Sequence, residues 1–140
     1  MNTPWGRSDG QEAVAKGIQR ISTPRHGGFH LDNVRWAELM FVFPDFVPFA
    51  GKGWLEEDCD WAIAYAVWPG EFTDRSCYPG SNYAQAIMTL RCYLNIPESY
   101  WSSDRGIQLL SLARRYTQKG YLRAYYETDE TDLILSNRDF

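Results

Sequence analysis

Cysteine is scarce in this sequence and badly placed for cross-linking. Cys59, Cys77 and Cys92 are odd in number and contain no CxxC pair, so neither a disulfide framework nor a zinc site is written into the chain. Reduced thiols, and with them a cytoplasmic setting, are the expectation. Long apolar runs are missing too. Nothing approaches the roughly 20 residues of a membrane span, and the first residues lack the basic-then-apolar order of a secretory signal, so a soluble chain with no membrane partner is expected. Positive charge is in deficit: 14 Lys and Arg against 18 Asp and Glu leave a net charge of −4. That balance carries no electrostatic footprint for DNA or RNA, and it is too mild for a nucleic-acid mimic. Histidine occurs twice, at His26 and His30, four residues apart across a turn rather than on one helical face. An HExxH type of zinc pair is therefore excluded, and neither a metal nor a cofactor is expected.

What is abundant is aromatic. Of 140 residues 16% are Phe, Trp or Tyr and 44% are hydrophobic, enough for a real core within one domain spanning residues 1–140. Thr3-Pro4-Trp5-Gly6 is a turn-like opening whose indole needs a hydrophobic seat on that domain. A strand is expected from about Gly17 to Ser22. Pro24-Arg25-His26-Gly27-Gly28 then turns the chain into Phe29-His30-Leu31-Asp32, where apolar and polar residues alternate, so the two segments predict a β-hairpin. Asn33 is placed to cap a short helix over Val34 to Leu39. In Phe41 to Phe49, Pro44 and Pro48 break the helical ladder, and an extended, partly buried crossing is expected; left exposed, the same segment would be a docking surface.

The stretch from Gly53 to Pro69 predicts the central helix. Trp54, Asp58, Trp61 and Tyr65 recur at i, i+4, i+7 and i+11, which puts two indoles, a phenol and one carboxylate on a single face, while Glu56, Glu57 and Asp60 fall on solvated faces. Trp54, Trp61, Tyr65, Ile87 and Leu110 are expected to be buried together. Two further helices follow, one capped by Ser81 and running to about Asn95, the other capped by Asp104 over Arg105 to Lys119 and ended by Gly120. Tyr121 to Tyr126 and Leu133 to Leu135 flank a polar turn and predict a second hairpin. The order hairpin, helices, hairpin points to an α+β domain: a small antiparallel sheet from N- and C-terminal hairpins with three to four helices packed on it.

Candidate chemistry gathers in two places. Arg25, His26, Gly27, Gly28 and His30 form a ligand-binding candidate, because glycine lets backbone amides approach an anion and a histidine beside them can act as a general base. The plain alternative is that the glycines only make the turn. Glu56, Glu57, Asp58, Cys59 and Asp60 supply four carboxylates and a thiol, and the catalytic candidates are His26, Glu57, Asp58 and Cys59. A thiol near a helix N-terminus can be a nucleophile, yet it is also a small buried hydrophobe. Asp58, on the indole face, should be partly buried and needs a partner such as Arg20, Arg25 or His26. His26 is expected near Asp58 or Glu57.

Taken together, Thr3-Pro4-Trp5-Gly6, Ser22-Thr23-Pro24-Arg25-His26-Gly27-Gly28-Phe29 and Gly53-Trp54-Leu55-Glu56-Glu57-Asp58-Cys59-Asp60-Trp61-Ala62 resemble the DUF7007-type domains of bacterial plasmids, phages and integrated elements. The resemblance covers roughly the first half of the chain and brings no catalytic role with it. It implies a small cytoplasmic accessory protein of a mobile element. Two functions are compatible with the residues. One is protein–protein binding to a host or defence-system protein, as a counter-defence inhibitor of the anti-CRISPR sort. The other is a small enzyme or a domain for a nucleotide or phosphate ligand, built on His26 and the Glu56 to Cys59 cluster.

Overall fold

Short antiparallel strands make up residues 1–31, and beyond them the described residues form four α-helices, three longer and one short, with one further strand between the first two. The computed structural model describes residues 1–72 and 79–118. The Thr3-Pro4-Trp5-Gly6 turn closes a two-residue ladder between β1 (Asn2–Thr3) and β2 (Gly6–Arg7), with the Thr3 hydroxyl donating to the Gly6 carbonyl at 2.6 Å. Trp5 finds its seat edge-on against Trp54, ring centroids 5.5 Å apart. Next comes a four-stranded antiparallel sheet in the order β3 (Gly10–Ala15), β4 (Ile18–Ser22), β5 (Gly27–Leu31), β6 (Trp54–Glu56). The α+β class and the first hairpin are as expected. The hairpin predicted over residues 121–135, the Gly120 helix stop and Cys77 lie outside the described residues.

The alternation in β4 and β5 decides which way the sheet faces. Ile18 pairs with Leu31, Arg20 with Phe29 and Ser22 with Gly27, and paired residues in antiparallel strands point to the same side. Ile18, Phe29, Leu31 and Leu55 from that side enter the core. Gly28, His30 and Trp54 take the other face, where Trp5 lies over Gly28 and the His30 ring sits 4.5 Å from Trp54.

Helix α1 (Asn33–Val42) starts one residue earlier than its expected cap: Asp32, not Asn33, accepts the Arg35 N–H at 2.8 Å. It also runs past Leu39 to Val42, because Pro44 bars only the next turn. Phe43 is buried beyond its end and Phe46 is half-buried, whereas Phe41, Val47 and Phe49 stand in solvent.

The central helix expected over Gly53 to Pro69 is two elements. Trp54–Glu56 pairs with β5 as strand β6, a turn follows, and only Trp61–Val67 is helical, as α2. The turn is built by Glu56. Its buried carboxylate accepts three backbone N–H groups, from Asp58 at 2.6 Å, Cys59 at 2.8 Å and Asp60 at 2.8 Å. The expected exposures are accordingly reversed, with Glu56 and Asp60 buried and Asp58 in solvent. Asp60 reaches out of the turn to accept the Phe49 N–H at 2.7 Å, and burial, followed by the Glu56 charge, pushes its carboxyl above the usual range against the pull of that bond.

Helix α2 is apolar all round and Ala62 to Val67 are buried. The carbonyls at its C-terminal end find partners from other elements, Ala66 accepting the Tyr100 hydroxyl at 2.8 Å and Val67 the Arg105 guanidinium at 3.0 Å. This meets the requirement that the last carbonyls of a helix be satisfied from outside it. Helix α3 (Pro79–Cys92) and helix α4 (Asp104–Gln118) pack on α2 and on each other. The α4 cap is Ser103, whose hydroxyl accepts the Gly106 N–H at 3.2 Å, rather than Asp104 in the first turn. Tyr65, Ile87 and Leu110 are buried as expected, but Trp54 and Trp61 are only half-buried. Trp54 left the core with its strand; Trp61 stands at the edge of α2, edge-on to Tyr65 at 5.2 Å.

Candidate functional site

A cleft forms where the sheet's side chains become too small to meet the helices. Along the helix-facing side the apolar rows at Ile18 and Leu31 give way to Arg20 beside Phe29, then to Ser22 beside Gly27, so the sheet thins toward the β4–β5 turn. Trp61 and Tyr65 of α2 and Asn82 and Gln85 of α3 form the opposite wall of a cavity of about 630 Å³. Pockets of some 300–1,000 Å³ hold small ligands.

Four of the expected site residues meet at this cleft with a fifth from the acidic cluster: Arg25, His26, Gly27 and Gly28 from the turn, and Glu57. The His26 Nδ1 lies 3.4 Å from Glu57 Oε1, both side chains about half-exposed at the rim. Backbone pairing explains the meeting. The Glu57 N–H donates to the Gly27 carbonyl at 3.0 Å, which continues the β5–β6 ladder one step and sets the carboxylate beside the turn. The turn itself is closed by Thr23, whose hydroxyl donates to the His26 carbonyl at 2.7 Å and accepts the His26 N–H at 3.0 Å. With Nδ1 turned to the carboxylate, Nε2 is the nitrogen left for the cleft.

The glycines are there for close approach. A Cβ on Gly27 would come within 2.8 Å of the Ile21 carbonyl oxygen, and one on Gly28 would run into the Leu55 carbonyl. His30, Asp58 and Cys59 stand apart from the cleft lining. His30 faces the far side of the sheet against Trp54, where burial holds its pKa below the ordinary value despite the opposing charge of Asp32. Burial, together with the charges of Glu56, Asp60 and Asp58, pushes the Cys59 thiol up. A raised pKa leaves less thiolate at neutral pH and a poorer nucleophile. Cys59→Ser is therefore expected to shift the unfolding free energy by under about 1 kcal/mol, and iodoacetamide at pH 7.5 should alkylate Cys59 more slowly than free cysteine. Faster alkylation would show an activated thiol.

Several cleft residues carry no motif in the sequence. Arg20 lies 3.9 Å from Glu12 and 5.8 Å from the Phe29 ring centre. Tyr65, hydrogen-bonded to Asn82, has its phenol pushed up to about 12 by burial, against the pull of the nearby Arg20 charge. Their convergence depends on register: Arg20 sits opposite Phe29 and Glu12 across two ladders, a placement visible only once the strands pair. Among the described residues no group of His, Cys, Asp and Glu is arranged to hold a metal ion, and no helix is long and apolar enough to cross a membrane.

A second surface lies on α1. Val34, Ala37 and Phe41 recur at i, i+3 and i+7 on its outward face, with Val34 67% and Phe41 85% exposed. Glu38 and Arg105 border a shallow groove beside them.

Fold and cleft together define a small α+β domain that presents a concave site of mixed polar and aromatic lining between a sheet and two helices. The chain belongs to the family described as domain of unknown function (DUF7007), whose model matches residues 1–130. No curated protein and no solved structure matches the chain.

Proposed function

We propose that the protein acts by binding another protein, as a cytoplasmic accessory factor of a mobile genetic element, and that its partner is a host or defence-system protein that it inhibits in the manner of a phage anti-CRISPR. The outward face of α1 carries this reading. Surface helices turn apolar residues inward and polar ones to water, and here the stripe of Val34, Ala37 and Phe41 does the opposite. The exposed Val47 and Phe49, 82% and 88% accessible, add to the apolar surface that follows. Exposed large apolar groups of this kind mark contact sites. The net charge of −4 is complementary to a partner whose apolar patch has a basic rim, as on proteins that handle nucleic acid.

Phe41→Ser tests the reading. The wild-type protein, immobilised, is expected to retain one partner stoichiometrically from a host lysate. The variant should bind that partner at least about tenfold more weakly, with an unfolding free energy within about 0.5 kcal/mol of wild type. Capture that is indifferent to Phe41 and Val34 would rule out this face.

A further inference from the structure

We propose that the cleft between the sheet and α2–α3 is a separate binding site for a small planar aromatic ligand bearing a phosphate or carboxylate. Its two walls differ in chemistry. The strand wall supplies two cations, Arg20 part-way in and Arg25 at the mouth, with the His26 ring next to Arg25. Arg25 is exposed and makes no ion pair with another described residue, and Arg20 carries its charge into the cleft beside Glu12, 3.9 Å away. The helix wall supplies rings. Trp61 is half-buried and near-perpendicular to Tyr65 at 5.2 Å, and the buried Tyr65 is stacked on Phe72 at 4.2 Å, so the phenol is held in the core and the indole is the more exposed ring for a ligand to meet.

The floor makes room for such a ligand. Ser22 and Gly27 lie side by side across the β4–β5 ladder, and Gly10 lies on the other side of Ser22, so three strands contribute almost no side-chain volume at this end of the sheet. Guanidinium groups match phosphate and carboxylate geometry, and aromatic faces hold planar rings at a small entropic cost because few rotors are frozen. Gly28 pairs with Ile21 on one side and Glu56 on the other, and the Gly27 carbonyl accepts the Glu57 N–H, so the anion is assigned to side chains and not to a glycine amide cradle.

Titration calorimetry and tryptophan fluorescence on the full chain decide the matter, with AMP and indole-3-acetate as the phosphate and carboxylate probes and adenosine and inorganic phosphate as the half-ligands. At least one of the two complete probes is expected to bind saturably and to do so at least about tenfold more tightly than adenosine or phosphate alone. Arg25→Gln should weaken that probe by about tenfold, and Ser22→Tyr, which fills the floor, should abolish its binding. Arg25→Gln should keep the wild-type melting temperature, Arg25 being exposed, and Ser22→Tyr, which gives up an exposed hydroxyl bond to Asp9 at 2.8 Å, should remain folded with a single cooperative melting transition. Adenosine binding as tightly as AMP would overturn the anion's part. Failure of both complete probes, or binding indifferent to Ser22→Tyr in a folded variant, would overturn the site.

Discussion

Glu56→Ala is expected to lower the unfolding free energy by about 3–5 kcal/mol, read from the midpoint and slope of urea denaturation. The carboxylate accepts three backbone N–H groups in succession, at 2.6–2.8 Å, and these are the groups that turn the chain from strand β6 into helix α2. Removing it strands donors that water reaches only in part, since the Asp60 end of the turn is buried. Glu56→Gln separates charge from geometry. Its one carbonyl oxygen can serve Cys59 and Asp60, the two donors that share Oε1, while its amide would face the Asp58 N–H donor to donor. A loss of about 1–2 kcal/mol is expected for Gln. Equality of the Ala variant with wild type would mean that the turn is held by other contacts. Because Glu57 follows directly, the His26–Glu57 approach at the cleft rim should be lost with the turn.

Gly28→Ala is expected to be comparably severe, with a loss of about 3 kcal/mol or more and a changed tryptophan emission. A Cβ at this position would run into the Leu55 carbonyl and come within 2.8 Å of the Trp5 ring and 3.0 Å of the Glu56 Cα. Two of the three obstacles are backbone, which cannot swing aside. The β5–β6 ladder is only three pairs long, Gly28 with Glu56, Phe29 with Leu55 and His30 with Trp54, so separating one end puts the whole pairing at risk. Gly70→Ala is the control: its Cβ would meet only the amide tip of Gln108 at 3.1 Å, a flexible neighbour, and its melting temperature should change little. If both variants melted alike, the close approach at Gly28 would not be what the fold depends on.

Local signals were legible wherever an element made its own pattern. Alternation in residues 18–31 and the Pro-Arg-His-Gly-Gly turn encode the β4–β5 hairpin, and apolar periodicity encodes α3 and α4. Strand β3, by contrast, reads Gly-Gln-Glu-Ala-Val-Ala, has no strong β-former but Val14, and owes its place to pairing with β4. The Gly53 to Pro69 stretch misleads for a different reason. Residues 54, 58, 61 and 65 fall at helical spacing by coincidence of a three-residue strand and a four-residue turn, and three residues are too few to display a period of two. That single misassignment reverses the expected exposures of Glu56, Asp58 and Asp60 and puts Trp54 in a core from which its strand removes it. A carboxylate five residues before the helix start, at Glu56, is the available clue.

The cleft was half legible. Arg25, His26, Gly27, Gly28 and Glu57 stand out in two short local motifs, whereas Arg20, Ser22, Tyr65 and Asn82 join them through register and helix packing, which no short motif records.

Helix α2 has a consequence for how the molecule comes together. Seven residues are too few to hold a helix in water, where roughly 12–15 are needed even for good formers, and both of its ends are completed by groups from elsewhere: Glu56 before it, Tyr100 and Arg105 after it. It therefore has no nascent form to start from. The contacts that complete it span 34 and 38 residues of sequence, so the chain must close long loops before this segment gains anything by coiling. Once formed, the same segment has no private way to open: its amides are released only when sheet, turn and flanking helices come apart in one event.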